Sequence, residues 1–192
     1  SDFLKVVFSN FDKKGVDTGL FSICSELPCI DLFDTYEFFV DKYSFSSFWE
    51  EDNKMSYIAL EKCKYLTLEG PKKFKLAKEF NYENFKNLIH LTDEYKTSAL
   101  SKIIYFFSFF ENLKKKNSSY DIPGLEVILP KILIIKDKNN CWLRINAYVE
   151  GKSSLRSLIE EFWSIRNQIL YSQNQKSKNS FDQLSMDYFL NS

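Results

Sequence analysis

Residues 122–149, IPGLEVILPKILIIKDKNNCWLRINAYV, constrain the fold more than any other stretch of the chain. Two apolar, β-branched runs flank a polar stretch at 136–140 that holds Asp-Lys-Asn-Asn, a pattern that predicts an antiparallel hairpin. The first arm carries Leu129, Ile132, Leu133, Ile134 and Ile135 around Pro130, too apolar to face water on either side. It belongs inside a sheet, with the proline at its start or at a bulge, because proline cannot donate to a ladder. The second arm alternates: Trp142, Arg144, Asn146 and Tyr148 fall on one face, and Leu143, Ile145, Ala147 and Val149 on the other.

The rest of the chain offers more strands and helices without regular β-α-β alternation. The segment 1–29 reads as a short strand or helix plus loops. From an Asp31 cap, Leu32, Phe33, Tyr36, Phe39, Val40 and Tyr43 recur at helical spacing. Residues 45–49 and 56–60 form a hairpin across Glu51-Asp52-Asn53-Lys54, and 64–68 a third strand ending before Gly70-Pro71. Helical spacing returns over 71–94 with a break expected at Asn81, and 99–110 reads as an aromatic strand buried on both faces or covered on one by a partner. After Gly151, Ser153-Ser154 can cap a helix to about Tyr171 whose stripe is Leu155, Leu158, Ile159, Phe162, Ile165, Ile169 and Leu170. Residues 172–180 contain no apolar side chain and read as a linker or loop. The expected class is α+β, a mostly antiparallel sheet covered by helices.

Composition narrows the function classes. Lys plus Arg and Asp plus Glu number 26 each, so the whole molecule has no field to draw nucleic acid or an anionic membrane. No run approaches a membrane span, and no signal-peptide pattern opens the chain, so a soluble, cytoplasmic protein is expected. The four cysteines, Cys24, Cys29, Cys63 and Cys141, lack Cys-x-x-Cys spacing and are read as reduced thiols, with an oxidised Cys24–Cys29 pair left open. The 5 glycines form no phosphate loop.

Each chemical candidate has a plainer explanation. His90 ends an apolar stripe and is read as structural, since base chemistry would need a nucleophile and an orienting partner. Glu50-Glu51-Asp52 offers hard-cation ligands but in a turn that points them apart, and Lys114-Lys115-Lys116 is read as a solvated turn. Phe106, Phe107, Phe109 and Phe110 could line a pocket but are expected in the core. Trp142 and Arg144 share a face, where a guanidinium over an indole would be a structural contact.

The order of Leu129-Pro130, an apolar strand, a polar turn, Trp142-Leu143, Ile145-Asn146 and then a long amphipathic helix resembles the N-terminal half of the isochorismate synthases, within the chorismate-utilising enzymes. Phe48-Trp49-Glu50, the strand near Tyr57, and Glu69-Gly70 before Phe74 match that family's early strands, so the resemblance covers roughly residues 30–175. It implies a place in the family's α/β sandwich, with 1–175 as an N-terminal domain and 176–192 as a linker toward a C-terminal catalytic domain. In that family the general-base lysine, the acid, the magnesium ligands and the substrate contacts lie in the C-terminal half. The resemblance therefore implies no catalytic, cofactor or metal residue within these 192, and Mg2+ only in the full-length enzyme. The implied partner is the chain's own C-terminal half, with self-association expected of a face left uncovered. A housekeeping quinone pathway such as menaquinone or phylloquinone synthesis is expected by analogy, with siderophore and salicylate pathways left open. Anthranilate or aminodeoxychorismate synthase stays open within the family, and a stand-alone, non-enzymatic binding domain outside it.

Overall fold

The computed structural model describes residues 2–51, 54–92, 99–108 and 124–190, with side chains described as far as Gln173. The elements are α1 (Asp2–Lys14), β1 (Thr18–Leu27), α2 (Leu32–Phe39), β2 (Ser46–Trp49), β3 (Met55–Leu68), α3 (Lys73–Asn87), β4 (Leu88–His90), β5 (Ile104–Phe107), β6 (Leu125–Asp137), β7 (Asn140–Glu150) and α4 (Gly151–Leu190). The strands form one sheet in the order β2-β3-β6-β7-β1-β4, with β5 joined to β6 off that path. Every pairing is antiparallel except β1 with β4. The protein is thus α+β with a mostly antiparallel sheet.

The β6–β7 hairpin forms at the centre as its two patterns require. Within β6, Leu125, Val127 through Pro130 and Ile132 through Ile135 are all buried. Pro130 sits in mid-strand, and its placement follows from two local irregularities. On the β3 side it faces a bulge between Lys62 and Lys64, next to Glu61 at φ +55. On the other side β6 changes partner: residues 125–128 pair with β5 and 132–137 with β7. Pro130 lies in the gap, where its missing N–H breaks no ladder.

The alternation of β7 divides the core. Leu143, Ile145, Ala147 and Val149 face the main cluster, where α4 lays down Leu155, Leu158, Ile159, Phe162, Ile165 and Ile169, each at most 3% exposed. Val7 and Phe11 of α1 and Leu32 and Phe39 of α2 complete that layer. The opposite face gathers Cys24, Ala59, Leu133, Ile135 and Trp142 in a second cluster.

Several boundaries differ from the sequence expectations. The first 29 residues hold a helix and a ten-residue strand at the heart of the sheet. The strands expected at 56–60 and 64–68 are one strand, because the bulge absorbs the break in pattern without ending the ladder. The helix of α3 passes through Asn81 unbroken and buries Lys73, Ala77 and Asn84, so Phe74, Leu76 and Phe85 of the expected stripe lie outside. Residues after Asn87 turn to strand, which places His90 in β4. The aromatic strand is only four residues long, and Tyr105, Phe106 and Phe107 are exposed; among the described residues β5 pairs with β6 alone. Phe109, Phe110 and 114–116 lie outside the described residues. The last helix starts at Gly151, φ +77, whose N–H reaches the Asp17 carbonyl at 2.6 Å, two residues ahead of the expected serine cap. It continues through 172–180 to Leu190, where a linker or loop was expected.

Candidate functional site

The register of three strands assembles a buried polar row on the second sheet face. Ser22 of β1 lies opposite Asn146 of β7 on one side and His90 of β4 on the other. Arg144 pairs with Cys24, one step along the same face, so its guanidinium reaches Ser22 diagonally. Ser22 and Asn146 are 0% exposed and Arg144 1%.

Arg144 is the hub of this row. Its Nε donates to the Ala99 carbonyl at 2.6 Å, and one terminal nitrogen donates to Ser22 Oγ at 2.7 Å and stands 3.0 Å from His90 Nδ1. A guanidinium only donates, so Nδ1 accepts and the imidazole proton belongs on Nε2. Asn146 ties the row to the rest of the sheet. Its amide nitrogen donates to the Pro130 carbonyl at 2.9 Å, and its oxygen accepts from Ser101 Oγ at 3.0 Å. Beyond Ile132–Ile145 the β6–β7 ladder stops, and the Asn146 side chain takes over the bonding that Pro130 and the parting strands give up. Cys24 N–H bonds Thr92 Oγ1 at 2.9 Å, and Leu91 N–H bonds the Ser22 carbonyl at 2.9 Å, fixing the chain beyond β4 over the same face.

The sequence placed Trp142 and Arg144 on one face, where both lie; His90, which it read as structural, stands beside the Arg144 guanidinium. The hydrogen-bond hub was not legible, because its members are scattered from residue 22 to residue 146 and only strand register brings them together.

Lysines dominate the acidic turn. Glu50 and Glu51 border an open groove of about 410 Å3 with Lys54, Ser56, Lys136, Lys138 and Asn139, and Glu51 forms an ion pair with Lys54. Among the described residues no group of three or more His, Cys, Asp or Glu side chains could hold a metal ion. No helix among them is long and apolar enough to cross a membrane.

The thiols differ sharply in setting. Cys63 is packed beside Leu20, Leu88 and Leu129, and burial pushes its thiol up to about 11, with Lys64 and Lys131 opposing weakly. Lys102 is held below its ordinary value by burial and then by the Arg144 charge. The Cys24–Cys29 pair left open by the sequence does not form. Cys24 belongs to the Trp142 face, whereas Cys29 contacts Cys141, which belongs to the α4 face.

Among curated proteins, none matches this chain. Among solved structures, the chain is similar to MenF, the menaquinone-specific isochorismate synthase from Escherichia coli, at 13% identity and a TM-score of 0.48. That match covers 87% of this chain and 34% of the other, so the chain spans about a third of that enzyme's length. The family model of the chorismate binding enzymes matches residues 6–188, from α1 into the distal part of α4 and across every strand of the sheet. The chain belongs to the chorismate-binding enzyme family.

Proposed function

We propose that this chain is the N-terminal portion of an isochorismate synthase, acting in the cytoplasm in a quinone pathway such as menaquinone synthesis. The reading rests on the family match over residues 6–188. It is strengthened by the position of Leu129-Pro130 and Trp142-Leu143-Arg144-Ile145-Asn146, which form the two central strands rather than a peripheral loop.

The reaction moves a hydroxyl from C4 of chorismate to C2. A base takes a proton from water as it attacks C2, and an acid protonates the hydroxyl that leaves C4. In this reading those groups belong to a C-terminal half of the enzyme, and residues 2–190 act as its scaffold. Buried donors that are already oriented, such as the Arg144 guanidinium and the Asn146 amide, hold the sheet in one register against which the catalytic half can pack.

The test is chromatographic. The 192 residues alone, given chorismate and magnesium, should yield no isochorismate, whereas the longer protein carrying this segment should yield it. Isochorismate from the 192 residues alone would overturn the scaffold assignment. Anthranilate or aminodeoxychorismate from the longer protein with ammonia would overturn the choice within the family.

A further inference from the structure

Cys141 opens β7, and its strand partner across the sheet is Leu27, the last residue of β1. Two residues on, past Pro28, stands Cys29, so the exit of β1 returns over the start of β7. The Cys29 side chain stands next to that of Cys141, and the Ile30 N–H is directed toward the Cys141 sulfur. The two thiols differ in access, Cys29 being exposed and Cys141 1% exposed beneath it. Lys136 is the partner of Cys141 on β6, and its ammonium, bonded to the Ile30 carbonyl at 3.0 Å, supplies positive charge beside the pair.

We propose that Cys29 and Cys141 form a thiol-disulfide modification site, Cys29 the attacking thiol and Cys141 the resolving one, oxidised by a small disulfide of the glutathione class. The Cys29 thiolate attacks one sulfur of that disulfide, forming a mixed disulfide and releasing one glutathione thiolate. Cys141 then gives up its proton, attacks the Cys29 sulfur and expels the second glutathione. Two protein thiols are oxidised, one glutathione disulfide is reduced, and the two protons end on the two released glutathione thiols. An exposed, accessible thiol backed by a buried one is the arrangement this order of events requires.

The bond would tie the β1–α2 connection to the β6–β7 turn. Asp31, two residues beyond Cys29, caps α2 and exchanges hydrogen bonds with Gln173 of α4, so the same bond would pin the entry of α2 against α4. The closed loop spans 141 − 29 = 112 residues, and a loop of that size should raise Tm by roughly 5–15 °C.

The experiment treats the folded, reduced chain with glutathione disulfide, blocks remaining thiols with iodoacetamide in denaturant, and reads intact mass, peptide linkage and Tm. The expected result is the loss of two hydrogens, a Cys29–Cys141 linked peptide and the rise in Tm. The Cys141→Ala variant should stop at a glutathione adduct on Cys29, and the Cys29→Ser variant, altered at an exposed position, should not react. A glutathione adduct that persists on Cys29 of the unaltered chain, a link from Cys29 to Cys24 or Cys63, or no reaction at all would overturn the proposal.

Discussion

Replacing Arg144 by Met tests whether the polar row is a coupled unit. The substitution keeps an unbranched side chain but strands two buried acceptors, the Ala99 carbonyl and Ser22 Oγ, as well as the part-buried His90 Nδ1. Each stranded buried acceptor costs about 1–3 kcal/mol. Against that, removing a buried cation can recover about 1–4 kcal/mol of desolvation. With the two buried acceptors and the part-buried one outweighing the recovery, Arg144→Met should be a net loss on the order of 2 kcal/mol. Ser22→Ala alone deprives the guanidinium of one acceptor in a site where Ser22 is 0% exposed, a loss of about 1.5–3 kcal/mol. In the Arg144→Met background the Ser22 hydroxyl has already lost its 2.7 Å donor, so the same change should be nearly neutral. The double-mutant cycle should therefore give a coupling energy of about 1.5–3 kcal/mol. Urea unfolding followed by tryptophan fluorescence measures it, with an unchanged m-value as the check that the unfolded state is comparable. Additivity to within about 0.5 kcal/mol would refute the hub.

Two further outcomes are expected. The Cys63 thiol, pushed from 9.0 to about 11 by burial, stays protonated in the folded chain after the unfolded chain has released its proton. Stability from this group is complete below pH 9 and is lost as pH rises toward 11, with on the order of 1 kcal/mol gone at pH 10. Urea midpoints at pH 8 and pH 10 should fall less for Cys63→Ala than for the unaltered chain, and equal falls would contradict the assignment. Lys138 holds φ +56 in the turn between β6 and β7, a conformation glycine adopts without strain. Lys138→Gly should raise stability by about 0.5–1 kcal/mol, and a lower Tm would show that the lysine side chain contributes more than the backbone loses.

The sequence exposed those parts of the fold whose burial is periodic and local. The hairpin of β6 and β7, the Asp31 cap of α2 and the stripe of α4 each announce themselves within one continuous stretch of chain. What stayed hidden depends on distant partners. β1 mixes Phe21 and Ile23 with Ser22 and Ser25, and the polar residues look like a loop until Arg144 arrives to bond Ser22. In α3 the order is inverted, because Lys73 and Asn84 are buried while Phe74 and Phe85 are exposed, so a hydrophobic pattern points the wrong way. Asn84 satisfies itself by donating to the Phe80 carbonyl at 2.7 Å, which is how a polar residue can occupy the inner face of a helix. The long β3 read as two strands because a bulge interrupts periodicity without interrupting the ladder.

The position of β1 sets an order of events when the chain is made. β1 lies between β7 and β4, paired along its whole length with a strand that ends at residue 150. An element made near the beginning must wait for one made near the end. Until β7 emerges, Phe21 and Ile23 have no layer to enter, and β4 can offer β1 only three paired residues along one edge. The seam between β1 and β7 is therefore the last part of the sheet to close, and pairing at so large a sequence separation closes slowly. The β6–β7 hairpin, joined by a two-residue turn, is the natural template on which the earlier strand finally docks.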